Sequence, residues 1–161
     1  MTGTSPDEMA CVTVRYADES DLPQVVRMYV SAIHEIEGEK ANIDLPVCAR
    51  LVWDCFTKAP CILLEKMGQI IGFCGLRTGV LDYSKDAYIS EYMFYIKPER
   101  RSMKTARILS NAAQDVSEKF KLPLYFTHFI GDKPIEWREK FLNRWGYKTK
   151  AINCIYEVKN G

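Results

Sequence analysis

The sequence predicts an α/β (α+β) fold: one mixed sheet of six to seven strands with helices on both faces. Three observations carry this expectation. Segments with strand character and segments with helical spacing follow one another in the order β-α-α-β-β-β-α-β-α-β. The strands in the middle form hairpins, while those near the end alternate with helices. A length of 161 residues, 47% of them apolar, suits a single domain with a real core.

Residues 1–10, MTGTSPDEMA, are polar and read as a flexible N-terminal tail, which leaves 11–161 as one domain. VTVRYA (12–17) is rich in β-formers and predicts a short first strand. In ADESDLPQVVRMYVSAIHEI, Ser20 or Asp21 can cap a helix and Pro23 suits its first turn. Leu22, Val25, Tyr29, Ile33 and Ile36 then recur at helical spacing. EGEKAN is a polar loop. A second helix over Leu45–Thr57 is capped by Asp44 and has Val47, Leu51, Val52 and Cys55 on one face. CILLEK and QIIGFCGLR form a hairpin about Met67-Gly68, where glycine accepts the positive φ of a tight turn.

LDYSKD is a polar break before a long strand, Ala87–Ile96, that Pro98 ends. Simple alternation puts Glu91, Met93 and Tyr95 on one face of this strand and Ser90, Tyr92 and Phe94 on the other; a bulge would switch the faces. A helix over Ser102–Lys121 follows, with Met103, Ala106, Leu109, Ala113, Val116 and Phe120 on one side. LPLYFTHF is another strand, PIEWREKFLNRW a helix stopped by Gly146, and YKTKAINCIYEV one or two closing strands. There is no internal repeat, low-complexity segment or linker.

Composition narrows the function classes. Charged residues make up 27%, yet the net charge is only +1, which argues against a basic nucleic-acid-binding domain. Six cysteines form no CxxC pair, and His34 and His128 are the only histidines, so a zinc site of standard spacing is not expected. Cys61 and Cys74 lie inside apolar runs and read as small buried hydrophobes in a reducing cytoplasm. The N-terminus has no apolar h-region, and no apolar run approaches the roughly 20 residues that cross a bilayer. A soluble, cytoplasmic protein without a membrane partner is therefore expected.

The most informative stretch is FYIKPERRSMKTARIL (94–109). A strand ends at a proline, two arginines follow, and a helix opens with no acidic residue in its first turn. A helix N-terminus already carries partial positive charge, so two added cations there call for an anion. The alternative is a solvated basic helix start with a serine cap.

Here the residues resemble a known family, the GCN5-related N-acetyltransferases (GNAT). Its signature, R/Q-x-x-G-x-G/A after a strand and a proline turn, is matched by Arg101-Ser102-Met103-Lys104-Thr105-Ala106, with Lys104 where the family usually has glycine. EKFLNRWGYKTKAINCIYEV resembles the family's last helix and final hairpin through Phe141, Gly146 and Tyr147. VTVRYADESDLPQVVRMY resembles its first strand and helix through Arg15, Ala17 and Asp21. The three landmarks span Val12 to Val158, nearly the whole chain. The RRSxxxA form without glycine is also similar to small acetyltransferase-like proteins of bacteriophages.

The resemblance implies a GNAT fold, with a mixed, mostly antiparallel sheet, and transfer of an acetyl group from acetyl-CoA to a primary amine by direct attack in a ternary complex. The acceptor would be a small-molecule or protein amine, and the fold is compatible with a homodimer. Coenzyme A would lie along the backbone of Phe94, Tyr95 and Ile96. Its phosphates would meet Arg100, Arg101, Ser102, Met103, Lys104, Thr105 and Ala106, with the Ser102 and Thr105 hydroxyls as extra donors. Glu91, on the cofactor-bearing strand, is the expected proton acceptor, directly or through water. The family's usual acid is a tyrosine at the position that Leu142 holds here, so Tyr92, Tyr88 or His128 would have to substitute.

The run HEIEGE could attract a cationic amine or could simply be solvated, and Trp53, Trp137 and Trp145 read as core or rim residues. Lys104 and Leu142 also admit a second class of protein, one that keeps the fold for binding and has lost turnover. A third, a modifier of nucleic-acid bases, is disfavoured by the near-neutral charge.

Overall fold

The computed structural model describes residues 11–126, 140 and 142–148. The chain divides into two compact units, Met1–Ile130 and Gly131–Gly161. The first holds a five-stranded sheet in the order β1-β2-β3-β4-β5. The strands are β1 (Val12–Tyr16), β2 (Cys61–Lys66), β3 (Gln69–Val80), β4 (Ala87–Ile96) and β5 (Leu124–Phe126). The helices are α1 (Leu22–Glu37), α2 (Leu45–Thr57) and α3 (Met103–Phe120). Strands β1 to β4 pair antiparallel and β5 runs parallel to β4, so the sheet is mixed as expected. Among the described residues it has five strands rather than six to seven; the closing strands expected within YKTKAINCIYEV lie outside them, apart from Tyr147 and Lys148.

Local chemistry sets most of the boundaries. The β2–β3 loop is Met67-Gly68, with φ of 52° and 72°. Two consecutive positive φ values match the right-handed twist of the flanking strands. Asp44 caps α2, its side chain accepting from the Val47 N–H at 3.1 Å. The start of α1 differs from expectation. Asp18 caps a short 3₁₀ turn, Glu19–Asp21, and α1 opens only at Leu22. The Asp21 carboxylate makes no cap for α1. It accepts from the Asp18 N–H at 2.9 Å and from both terminal nitrogens of Arg15, at 2.7 and 2.8 Å.

Two cores sandwich the sheet. On one face Val25, Met28 and Ala32 of α1 and Val52 and Cys55 of α2 pack on Leu63, Phe73, Met93 and Tyr95. On the other, Leu109, Ala113 and Val116 of α3 pack on Ile62, Leu64, Cys74, Leu76, Ile89 and Ile96. The helical stripes match the spacing in part, with Val25, Val52, Cys55, Leu109, Ala113 and Val116 buried as expected. Ile36, Val47, Met103 and Phe120 are exposed, while Met28, Ala32, Cys48, Thr105 and Ser110 are buried. Each helix offers apolar side chains around more than half of its circumference, so the facing sheet decides which stripe is buried. Cys48, Cys55, Cys61 and Cys74 are buried free thiols, and Cys11 is exposed. No helix among the described residues is long and apolar enough to cross a membrane.

Helix α3 ends at Lys121, which adopts the left-handed conformation with φ 54°. The Leu122 N–H bonds to the Ser117 carbonyl at 3.2 Å and the Lys121 N–H to the Glu118 carbonyl at 3.3 Å, a Schellman closure. A residue with a Cβ in this conformation costs about 1 kcal/mol or more, a cost that glycine lacks. Lys121→Gly is expected to raise stability by about 0.5–1 kcal/mol in urea unfolding. An unchanged or lower midpoint would mean that the lysine side chain contributes what the backbone loses.

In the unit Gly131–Gly161, the Tyr147 N–H bonds to the Leu142 carbonyl at 3.2 Å and the Gly146 N–H to that of Asn143 at 3.1 Å. With Gly146 at φ 88°, this is the same closure built on glycine, and it stops the helix where the sequence predicts.

Candidate active site

Strand β4 is central to the sheet and changes character halfway along. Its pairing with β3 runs Gly75↔Met93 and then Leu76↔Glu91, so Tyr92 is an extra residue, a β-bulge. The bulge corrects the alternation expected from the sequence. Glu91 faces Leu76 in the α3-side layer, whereas Met93 and Tyr95 belong to the core under α1 and α2. Tyr92, expected opposite Met93, packs against that same α1/α2-side core. Glu91 is 0% exposed. The described pairing of β4 with β5 ends at Glu91↔Phe126. From Tyr92 to Ile96, no described strand lies on the β5 side of β4.

Tyr92 is half-buried, and the Arg77 guanidinium lies 3.6 Å from its ring centroid. Arg77 also approaches Asp54 of α2 at 3.8 Å. Nearby, burial raises the Tyr29 hydroxyl and pushes the Cys55 thiol up to about 11. The Cys55 thiol is therefore a poor nucleophile and reads as a packing residue. Sequence reasoning missed Arg77. Its signal is an arginine that directly continues an apolar strand run, IIGFCGLR.

At its far end β4 passes through a 3₁₀ turn, Pro98–Arg100, into α3. Ser102 is the N-cap, with a reciprocal box to Thr105. The Ser102 Oγ accepts from the Thr105 N–H at 3.1 Å, and the Thr105 Oγ1 accepts from the Ser102 N–H at 2.9 Å. The Thr105 hydroxyl also faces the carbonyls of Arg100 and Ser102, both at 3.0 Å. Both hydroxyls take part in the cap, the Ser102 oxygen as an acceptor and the Thr105 hydroxyl facing backbone carbonyls. Of the four N–H groups that a helix start leaves over, the cap satisfies those of Ser102 and Thr105, so Met103 and Lys104 present theirs outward. Lys104 and Met103 are exposed, and Ala106 is half-buried against the α3-side core. Arg100 is half-buried.

Arg101 is held in place. Its Nε donates to the Ile96 carbonyl at 2.7 Å, and its Nη2 donates to Glu35 Oε2 at 2.6 Å. The other Glu35 oxygen accepts from the Tyr95 hydroxyl at 2.9 Å. Burial first, and this bond second, push the Tyr95 hydroxyl up to about 12, so it stays a donor. The run HEIEGE is therefore not wholly solvated: Glu35 is tied to β4 and to the turn. His128 and Trp137 lie outside the described residues. Trp53 is on the rim, and Trp145 is buried. Phe94 stacks edge-on with Phe126 at 5.2 Å, on the face opposite Tyr95. Among the described residues no group of His, Cys, Asp and Glu could hold a metal ion.

No protein-family model and no curated protein sequence matches the chain. Solved structures do resemble it. One is a GNAT family acetyltransferase from Staphylococcus aureus, with a TM-score of 0.62 at 15% identity, covering 91% of this chain and 98% of the other. Another is a ribosomal-protein-alanine N-acetyltransferase from Brucella melitensis biovar Abortus, at 0.66 and 13%, covering 92% and 99%. A third is an aminoglycoside acetyltransferase from an uncultured soil metagenomic sample, solved with sisomicin, at 0.66 and 13%, covering 92% and 97%. At these identities the likeness is one of fold, and the fold is that of the GNAT acetyltransferases. It lends no support to a specifically bacteriophage-type protein.

Proposed function

We propose that the protein is an acyl-CoA-dependent N-acyltransferase that moves an acetyl group from acetyl-CoA to a primary amine by direct attack in a ternary complex. The observation that carries the reading is the junction of the bulged β4, the turn Lys97–Ser102 and the N-terminus of α3, set in an acetyltransferase fold. The residues present suit coenzyme A. Outward N–H groups of Met103 and Lys104, with the cations Arg100, Arg101 and Lys104 around them, favour a pyrophosphate. The backbone of Phe94, Tyr95 and Ile96, past the bulge, would pair with an amide-bearing chain as a strand would.

When bound, the cofactor supplies an activated thioester carbonyl. The chain then has three tasks. Backbone N–H groups of β4 would stabilise the negative charge that develops on that carbonyl. The chain brings the acceptor to the bulge at Tyr92. It takes up the proton released by the attacking amine, and Glu91, one residue before the bulge, is our candidate for that role. Tyr92, the next residue, turns to the α1/α2 side beside Arg77 and would be the candidate for protonating a leaving thiolate. The acceptor is a small-molecule or protein amine, and the cytoplasm is the expected setting.

A thermal-shift titration with coenzyme A tests the cofactor site. At about 100 times its dissociation constant the ligand stabilises a fold by about 2.7 kcal/mol, or a few degrees for a domain of this size. Lys104→Glu is expected to weaken that shift by about tenfold in apparent affinity, one exposed charge having been reversed beside the phosphates. The melting temperature of the free variant should hold or rise slightly, because an acidic residue suits a helix N-terminus. A flat titration for the native protein would refute the reading.

One observation favours a second reading, a binding protein of this fold without turnover: Leu142 stands where the resemblance places an acidic tyrosine. Saturable coenzyme A binding with no acetylation across a panel of amines would select it.

A further inference from the structure

Glu35 sits in the last turn of α1, distant in sequence from both of its partners, and joins three elements. Its two oxygens are divided between the Tyr95 hydroxyl on β4 and the Arg101 guanidinium on the turn before α3. Arg101 in turn reaches back to the carbonyl of Ile96, the last residue of β4, and lies 5.4 Å from the Tyr95 ring centroid. Within the turn the Arg100 N–H bonds to the Lys97 carbonyl and the Arg101 N–H to that of Pro98, while the Lys97 N–H bonds to Ile71 on β3. Arg101 is thus the side chain that ties the turn to the strand end, and Glu35 is what orients it.

We propose that Glu35 is a positioning residue of the cofactor site, acting through Arg101; this rests on the reading of the turn as the acyl-CoA site. A guanidinium has five N–H donors in a rigid fork, of which the contacts to Ile96 and Glu35 use two. The Arg101 side chain is 38% exposed, so its outer donors reach solvent. Fixing Nε and Nη2 fixes the plane of the fork, and hence the direction in which the remaining donors meet phosphate oxygens. An arginine free to rotate would have to be ordered by the ligand itself, and that ordering would weaken binding. Glu35 does not touch the reacting atoms. Its effect belongs to cofactor affinity and not to the chemical step.

Calorimetric titration of coenzyme A into the native protein, Glu35→Ala, Arg101→Ala and the double variant tests this, together with steady-state kinetics. Glu35→Ala is expected to weaken coenzyme A about tenfold and to raise the acetyl-CoA KM to match, with kcat within about twofold. The double variant should bind no more than about threefold more weakly than Arg101→Ala alone, because Glu35 acts only through that arginine. A kcat loss with unchanged cofactor affinity, fully additive losses, or tighter binding by Glu35→Ala would each overturn the proposal. Tighter binding would mean that Glu35 competes with phosphate for Arg101. If Glu35→Ala does not fold, Glu35→Gln keeps the side-chain volume and one acceptor oxygen, and its affinity decides in the same sense. Absence of binding by the native protein would refute the acyl-CoA reading itself, and this inference with it; binding that is insensitive to Glu35 would refute this inference alone.

Discussion

Glu91→Gln is expected to lower kcat for amine acetylation by about two to four orders of magnitude, the usual contribution of a positioned proton acceptor. The substitution is nearly isosteric, and Glu91 is fully buried in the layer under α3, so the side-chain volume in that core is preserved. The amide cannot take a proton from the attacking amine. The acetyl-CoA KM should change little, because Glu91 precedes the bulge and the cofactor is expected along Phe94 to Ile96, beyond it. Melting curves of the free variant separate this effect from a folding defect. Turnover within a few-fold of native, at an unchanged melting temperature, would remove Glu91 from the mechanism and move attention to residues beyond Phe126.

What could be read in the sequence was whatever neighbouring residues decide among themselves. The Met67-Gly68 turn, the Asp44 and Ser102 caps and the stop at Gly146 are chemistry over a few residues, and each lies where the sequence puts it. The element order through β5 follows from periodicity in the same way. The stripes of α1 and α3 followed in part: Val25, Leu109, Ala113 and Val116 are buried as expected, but between Met28 and Tyr29, both apolar, only the facing sheet chooses. The bulge at Tyr92 is a matter of pairing with β3. AYISEYMFYI alternates smoothly and contains no glycine or proline to mark it. Glu35 and Arg101 each belong to a charged run that the sequence singles out, yet no local pattern connects them. Their meeting is a product of how α1 and the turn after β4 lie on one sheet. Arg101 was expected to point at an anion; in the structure its inner donors brace the strand and its outer donors remain for that purpose.

Asp21→Ala is expected to destabilise the protein by about 2–3 kcal/mol near neutral pH, the range for losing a largely buried, charge-assisted pair. Its carboxylate is buried and meets Arg15 with both oxygens, at 2.7 and 2.8 Å, while also accepting from the Asp18 N–H. Arg15 binds Glu65 of β2 at 2.9 Å, so the pair locks the β1–α1 connection onto the neighbouring strand. The Arg15 guanidinium holds the Asp21 carboxyl below its ordinary value, against the opposing effect of burial. A carboxyl that ionises more readily in the folded state stabilises that state above its unfolded value of about 3.9. The contribution should be complete above about pH 5 and fade as pH falls through the depressed folded value. Arg15 stays charged across this range, its own value being raised by the same partner. Urea unfolding of native and Asp21→Ala protein at stepped pH should therefore give curves that lie apart at neutral pH and converge in acid. Curves that stay parallel down to the acid limit would mean that the loss comes from packing and the Asp18 bond, and that the charge pair contributes little.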